Sequence, residues 1–207
     1  MTSIILAGGK SLRFGWNKAL ETISGRSLLQ WVVDSLAAVS TEIIVVTPDR
    51  ACFASFAMTY PLSTRIRVIG DVYPGKGPLG GIYSGLVTSS CLRAIVVGCD
   101  MPFLNTALLE YMTQISSGFD IIIPRTRKGV EPLCAIYSKN CLVSIHRLLE
   151  QNDLRISELF NMAKVKYVGE DEIDRFDAEH LSFFNINTQA DLDEARKLTV
   201  EKGWNGF

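Results

Sequence analysis

Short runs of apolar residues alternate along the chain with segments in which apolar residues recur every three or four positions. The runs are bounded by glycine, proline or polar residues, which is the pattern of buried β-strands. They predict strands at 2–7, 42–47, 67–70, 93–98, 120–124, 132–137 and 182–187. The second pattern predicts helices at 27–40, 81–89, 106–116 and 140–151, and a last helix that Thr188 caps with Asp191 as its acidic partner.

The alternation of strands and helices predicts the fold class. Continuous apolar strands separated by helices indicate an α/β protein with three αβα layers, in which helices cover both faces of a mostly parallel sheet. Ligands of such sheets bind beyond the carboxyl ends of the strands, so we expect the chemistry just after Ala7, Thr47, Gly70 and Gly98. The polar stretch 126–131 is expected to form a mobile loop.

Composition narrows the class of protein. The chain has 207 residues, of which 47% are hydrophobic and 21% charged, and its formal net charge is −1. These values fit one globular domain over 1–207 and argue against a protein that coats nucleic acid. The five cysteines form no C-x-x-C pair and no zinc-ligand spacing, which favours reduced thiols and a cytoplasmic protein. No apolar run reaches the length of a membrane span, and no signal peptide is expected.

The segment ILAGGKSLRFGWNKAL includes the end of the first predicted strand and continues beyond it. Its GKS triplet resembles the end of a Walker A loop, but that pattern would need a glycine at Ile4, inside the strand. Gly8 and Gly9 have no Cβ, so their N–H groups can approach an anion closely. Arg13 and Lys18 supply positive charge suited to a triphosphate. The alternative is a plain turn with solvated surface charges.

The segment LAGGKSLRFGWNK is similar to the signature L-A-G-G-x-S-x-R-x-G-x-x-K of nucleotidyltransferases with a GT-A-like, Rossmann-like fold. The segments GDVYPGKGPLGG, VVGCDMPFL and FFNINTQADL follow it in the order found in that group. Together the four segments span the chain from Leu6 to Leu192, and they most resemble the molybdenum cofactor guanylyltransferases. The matching residues of the first motif are Leu6, Ala7, Gly8, Gly9, Ser11, Arg13, Gly15 and Lys18.

The resemblance implies transfer of GMP from GTP to the phosphate of molybdopterin, with release of pyrophosphate. Lys18 and Arg13 are the implied catalytic residues, and Asp100 is the implied ligand of Mg²⁺. The implied GTP-binding residues are Leu6, Ala7, Gly8, Gly9, Lys18, Asp71 and Asp100. GTP would bind to about 1–105, and the acceptor to about 106–207. Neither nucleic acid nor a membrane is an expected partner, whereas transient proteins that deliver molybdopterin are compatible with this role.

Two aspartates follow predicted strands. A carboxylate at the end of a central strand is costly unless it serves a cation or caps a helix, and Asp100 lies too far before Thr106 to cap the next helix. One carboxylate together with substrate oxygens is sufficient for magnesium. For Asp71 the resemblance implies a contact with the nucleoside part of GTP. An ordinary turn aspartate is the alternative.

Residues 75–80 satisfy G-x-G-x-x-G, and Asp100 lies 20 residues further on, as in a dinucleotide-binding fingerprint. The tripeptide VYP separates the first glycine from its strand, however, and Pro78 lacks an N–H where phosphate-binding donors are needed. We interpret GPLGG instead as a close-approach loop that leads into the next helix. In the family that the chain resembles, the loop usually ends G-P-L-A-G. We interpret Gly80 in place of that alanine as a minor change.

Asn185 and Asn187 flank Ile186 in the last predicted strand, so both are expected to point to one side of it. Two neighbouring amides can hydrogen-bond a pterin or its phosphate, and in the resembling family this segment lies on the molybdopterin side of the cleft. The alternative for Asn187 is a role in the turn into the last helix.

The sequence alone leaves other functions open. A cytidylyltransferase that forms the cytosine dinucleotide cofactor has the same fold, but such proteins tend to have LAAG and to lack GPLxG. Enzymes that make nucleotide-sugars usually have longer acceptor domains. A noncatalytic nucleotide-binding protein would not need Arg13, Lys18 and Asp100 together, and an NAD-dependent oxidoreductase would bind its cofactor without magnesium.

Overall fold

The computed structural model describes residues 1–8, 18–51, 53 and 64–204. The strands are β1 (Thr2–Leu6), β2 (Thr22–Ile23), β3 (Arg26–Ser27), β4 (Glu42–Val46), β5 (Arg65–Ile69), β6 (Arg93–Gly98), β7 (Ile121–Thr126), β8 (Gly129–Val130), β9 (Cys134–Ser138) and β10 (Val165–Val168). The α-helices are α1 (Leu28–Ala37), α2 (Gly77–Thr88), α3 (Thr106–Gln114), α4 (Leu142–Glu150), α5 (Ile156–Phe160), α6 (Glu170–Ile173) and α7 (Gln189–Glu201). Short 3₁₀-helices lie at Lys18–Leu20, Lys139–Cys141 and Leu181–Phe183.

One mixed, mostly parallel sheet organises the described residues. Its strand order is β10-β7-β9-β6-β1-β4-β5, and β8 pairs with β7. The strands β4 and β6 flank β1 in parallel, β5 is parallel to β4 and β10 to β7, whereas β9 runs antiparallel to both β6 and β7. The strands β1, β4, β5, β6, β7 and β10 therefore all end at the same edge of the sheet.

Two cores lie on opposite faces of this sheet because successive side chains of a strand alternate in direction. Ile5 packs in the core that α1 and α3 cover, and Ile4 packs in the core that α2 and α4 cover. The helix α2 lies close to β1: a Cβ on Gly81 would be 2.9 Å from Leu6 Cδ2, and one on Gly85 would be 2.5 Å from Ile4 Cγ2. Small residues in α2 thus set how closely the helix approaches the central strand.

Most of the predicted elements are confirmed, with ends shifted by a few residues. The helix α1 begins after Ser27, whose side chain accepts a hydrogen bond from the backbone of Gln30. At α7, Thr188 and Asp191 form the predicted capping box. The helix α2 begins four residues earlier than predicted, because Pro78 is compatible with the first turn of a helix.

Two predictions of secondary structure are wrong. Residues 182–187 form no strand, since the chain leaves a 3₁₀-helix at Phe183 and the Ile186 N–H donates to the Asp100 carbonyl oxygen (3.0 Å) outside any ladder. Residues 126–131, expected as a mobile loop, instead form the hairpin of β7 and β8, in which Thr126 pairs with Gly129.

Four of the five cysteines lie in the described residues, and these four, Cys91, Cys99, Cys134 and Cys141, are free thiols. Among the helices that the structure describes, none combines the length and the apolar character that a bilayer crossing requires.

The first residue of β4 contains a buried carboxylate at the edge of the sheet opposite to the strand ends. The Glu42 side chain accepts hydrogen bonds from Thr2 Oγ1 (2.9 Å), Ser90 N (3.1 Å), Ser90 Oγ (2.8 Å) and Arg67 Nη1 (3.3 Å). Burial alone would raise the pKa of this carboxyl group, but the donated hydrogen bonds outweigh burial and lower the pKa from 4.5 to about 2. The ionised form of Glu42 therefore stabilises the fold.

We expect Glu42→Gln to lower the free energy of unfolding at neutral pH and to remove part of its acid dependence. Because the folded pKa is depressed, this contribution is complete above pH 4.5 and is lost as the pH falls towards 2. Its full size is about 3 kcal/mol. Urea unfolding of both proteins between pH 7 and pH 2 measures it, with Glu201→Gln on the exposed side of α7 as the control. A constant difference between the wild type and Glu42→Gln across that range would contradict the assignment.

Candidate active site

Gly8 and Asp100 lie at the same edge of the sheet. Leu6 pairs with Gly98 in the parallel ladder of β1 and β6, and the Cys99 N–H donates to the Leu6 carbonyl oxygen (3.2 Å). Each of the two residues follows the end of its strand by two positions. Gly8 is exposed, so its backbone is accessible from this edge.

Leu6 and Ala7 hold this edge in place. The Ala7 N–H is used in a hydrogen bond to the Val46 carbonyl oxygen (2.9 Å), and the Leu6 side chain packs against α2. The backbone amide of Ala7 is therefore engaged within the fold, and Gly8 is the first residue of this loop whose backbone faces solvent.

The Asp100 carboxylate folds back over Gly98. A Cβ on Gly98 would lie 2.5 Å from Asp100 Oδ1, so only glycine leaves room for the carboxylate in this position. Burial raises the pKa of Asp100, while a hydrogen bond to its own backbone and the charge of Lys18 oppose that shift. No side chain in the described ranges hydrogen-bonds to this carboxylate.

Lys18 connects this edge to the segment before α7. Its Nζ donates to Asn187 Oδ1 (3.1 Å), and its charge acts on Asp100. The Ile186 N–H holds the same segment against the Asp100 carbonyl oxygen. Three segments that are distant in sequence thus meet at one place, as the sequence predicts for Gly8, Lys18 and Asp100.

The two candidate asparagines contact different groups. Asn187 holds Lys18 through its side chain, while its N–H donates to Asp191 Oδ2 (2.8 Å) in the turn into α7. Asn185 Nδ2 donates to the Phe183 carbonyl oxygen (3.0 Å), and the side chain lines a separate cavity. The expected alternation along a strand is wrong because no strand forms there.

Asp71 connects the end of β5 to α2. Its Oδ1 accepts hydrogen bonds from Tyr73 N (2.9 Å) and Ser84 Oγ (2.8 Å). A Cβ on Gly80 would lie 2.7 Å from the Tyr73 carbonyl oxygen and 3.2 Å from Asp71 Oδ2. The interpretation of Gly80 as a minor change is therefore wrong, since this backbone leaves no room for alanine without a shift.

The G-x-G-x-x-G pattern does not follow a strand directly. The strand β5 ends at Ile69. Gly75, in the turn before α2, adopts a positive φ of 79°, and Gly77, the first residue of α2, a φ of 63°. Gly75 serves a turn, and the pattern does not form a dinucleotide fingerprint. The interpretation of GPLGG as a loop is wrong, because its five residues form the start of α2.

Comparison with known proteins agrees with this geometry. A family model described as the MobA-like NTP transferase domain matches residues 3–164. The chain belongs to this family. A probable molybdenum cofactor guanylyltransferase of Pelotomaculum thermopropionicum is 33% identical over 197 residues, which cover 95% of this chain and 92% of the relative. A molybdenum cofactor guanylyltransferase of Desulfosudis oleivorans is 34% identical, with 94% of each chain covered.

A solved structure extends the similarity to the whole fold. The molybdopterin-guanine dinucleotide biosynthesis protein A of Archaeoglobus fulgidus superposes with a TM-score of 0.82 at 27% identity, covering 97% of this chain and 100% of that chain. The α/β nucleotidyltransferase fold expected from the sequence is thus confirmed for this member of the MobA-like NTP transferase family.

Asp100 also fits a divalent cation of the kind that an NTP transferase uses with its substrate. The described residues contain no group of three or more side chains that could hold a metal ion. A partly buried carboxylate without a hydrogen-bonded side chain can still bind a cation whose other ligands are phosphate oxygens. Gly9 and Arg13, which the sequence also assigns to this loop, lie outside the described residues.

Sequence reasoning missed Gly98. The glycine stands two positions before Asp100 in VVGCD, and this spacing was the available signal, because a bare Cα at a strand end allows a following side chain to fold back.

We expect Gly98→Ala to displace the Asp100 carboxylate and to lower NTP-dependent turnover by roughly tenfold to a hundredfold, the cost of a shift of about 1 Å in a reacting group. The divalent-cation concentration at half-maximal rate should rise in parallel. Gly118→Ala, in an exposed turn where a Cβ makes only an ordinary contact at 3.6 Å, is the control. Unchanged rate and cation dependence in Gly98→Ala would show that the carboxylate position is not critical.

Proposed function

We propose that this protein transfers GMP from GTP to the terminal phosphate of molybdopterin, forming the guanine dinucleotide cofactor and pyrophosphate. The observation that supports this most directly is the meeting of Lys18, Asn187 and Asp100 beside the exposed backbone of Gly8. The names of the relatives in the same family point to the same substrates.

The proposed nucleophile needs no general base. A phosphate monoester has a second pKa of about 6, so the acceptor is already mostly a dianion at neutral pH. Neither histidine belongs to the four motifs. His146 pairs with Glu150 on α4 (3.5 Å), and His180 pairs with Asp174 (2.7 Å). The chain instead has to bring two anions together.

Positive charge and backbone amides would offset the repulsion between these two anions. Lys18 stands between the Asp100 carboxylate and the acceptor-side segment, so its ammonium is placed to offset charge on a phosphate. Gly8 offers an accessible N–H, and we assign Gly9 and Arg13 to the same role from the sequence. Asp100 would hold Mg²⁺, which would neutralise negative charge on the phosphates.

The two substrates would occupy different halves of the chain. We assign GTP to residues 1–105, with Leu6, Ala7 and Gly8 forming the phosphate edge and Asp71 near the nucleoside. We assign molybdopterin to residues 106–207, with Asn185 and Asn187 on its side. The reaction would take place in the cytoplasm, where transient partners could supply molybdopterin.

The nucleotide preference tests this function. With molybdopterin and Mg²⁺ present, we expect GTP to support pyrophosphate release at least about tenfold faster than CTP or ATP, as a site that hydrogen-bonds one base rejects others. Release of pyrophosphate from each nucleotide is measured, with a reaction lacking molybdopterin as the control. A preference for CTP would assign the protein to the cytidylyltransferases that form the cytosine dinucleotide cofactor.

Lys18→Ala should lower turnover by roughly 10²-fold or more, the loss typical of removing one preorganised charge stabiliser. Steady-state kinetics with GTP and molybdopterin measure the effect. Lys197→Ala, which removes an exposed lysine of α7 paired with Glu194, is the matched control. Near-normal turnover in Lys18→Ala would remove Lys18 from the mechanism.

A further inference from the structure

The cavity that Asn185 lines opens beside the candidate active site. Its volume is about 350 Å³. Its walls include Thr126, Lys128, Glu131, Phe183, Phe184 and Asn185. Aromatic, amide, carboxylate and ammonium groups therefore line one space, and none of these residues belongs to the motifs assigned to GTP.

The cavity lies at the edge of the sheet that holds Asp100. The strand β7 ends at Thr126, on that edge, and the Gly98 N–H donates to the carbonyl oxygen of Leu133, two residues beyond Glu131 (3.2 Å). The strands β9 and β7 are the first and second neighbours of β6, so β7 lies about 10 Å from β6 across the sheet. Asn185 in its wall is two residues from Asn187, the partner of Lys18.

Glu131 is held in place by its backbone, while its carboxylate has no hydrogen-bonded side chain among the residues that the structure describes. The Glu131 N–H donates to the Pro124 carbonyl oxygen (3.0 Å), and its own carbonyl oxygen accepts from Cys134 N (3.0 Å). Its side chain makes no hydrogen bond or ion pair with any side chain in the described ranges. Burial raises the pKa of Glu131, and the charge of Lys128 opposes that shift. A partly desolvated carboxylate is stabilised by any ligand that supplies N–H donors.

The other walls suit a flat heterocycle. Phe183 and Phe184 are half-buried and offer aromatic surface, against which a planar ring can pack. The Asn185 side chain offers one further amide. A carboxylate at one wall and aromatic surface at another is an arrangement that recognises a planar ring with adjacent N–H donors.

We propose that Glu131 determines specificity for the acceptor by receiving the two adjacent N–H donors of the 2-amino-4-oxopyrimidine ring of a pterin. This inference rests on the proposed function, because it places the pterin of the acceptor in the cavity and its phosphate beside Lys18. A carboxylate has two oxygens in one plane, so it can accept from the ring N3–H and the 2-amino group together.

Guanine has the same pair of donors, so position must decide between GTP and the pterin. The strand β5, which leads to Asp71, is separated from β9 by four strand spacings, about 19 Å. Asp100 lies between them, after β6. Glu131 is thus on the opposite side of Asp100 from the proposed nucleoside site, which favours the pterin.

Two binding probes test the inference without turnover. Pterin is fluorescent and has the 2-amino group, whereas lumazine has an oxo group in its place. We expect the wild type to bind pterin at least about tenfold more tightly than lumazine, and Glu131→Gln to lose most of this discrimination. Glu110→Gln, the same change on the exposed side of α3, should retain it. Equal discrimination in the wild type and Glu131→Gln would overturn the proposal.

Kinetics of the full reaction give the second readout. In Glu131→Gln the KM for molybdopterin should rise at least about tenfold, while kcat and the KM for GTP stay within about twofold. A rise in the KM for GTP alone would mean that Glu131 recognises guanine, and would overturn the proposal. Failure of the wild type to release pyrophosphate from GTP and molybdopterin would reject the proposed function. A wild type that releases pyrophosphate but binds pterin and lumazine equally tightly would reject only the role of Glu131. Circular dichroism of Glu131→Gln establishes that the variant is folded.

Discussion

The parallel pairing of β1 with β6 is the constraint on which the site depends. Its register places Leu6 opposite Gly98, so the chain emerging from each strand reaches the same edge, with Gly8 on one side and Asp100 on the other. A slip of the register by one residue would exchange the side chains of β1 between the two cores and disrupt the packing of both, which makes this pairing strongly specified. The hydrophobic core therefore positions polar groups that contribute nothing to it.

The segment before α7 completes the site by bonding across that edge. Ile186 bonds to the backbone of Asp100, and Asn187 bonds to the side chain of Lys18, so one short segment fixes both a carboxylate and an ammonium group. The capping box of α7 holds the same segment from the other end. Asn187 thus takes part in the turn into the helix, as one interpretation expected, and the same turn presents its amide to the lysine. Its contact with molybdopterin stays a prediction.

The sequence predicts the elements whose signal is local. The apolar run of β1 and the helical face of α1 needed no knowledge of the rest of the chain, and both lie where expected. The run 182–187 failed because its backbone partner is Asp100, more than 80 residues away, and composition does not reveal such a bond. The strand β10 was missed for a related reason, since four residues with two polar or aromatic members give a weak pattern. Glu131 could not be singled out either, because its free carboxylate is a property of the folded cavity.

Asp71 and Asp100 show why sequence position alone cannot assign a carboxylate to a role. Both follow a strand at the same edge of the sheet, and both belong to motifs of the same family. In the folded chain Asp71 Oδ1 accepts two hydrogen bonds that join β5 to α2, so much of its capacity is used within the protein. Asp100 accepts none from a described side chain and is partly buried, a state that is costly unless a cation or a donor arrives. The two carboxylates therefore differ in how many hydrogen bonds they accept from the described side chains. The same criterion, applied to residues outside the known motifs, leads to Glu131.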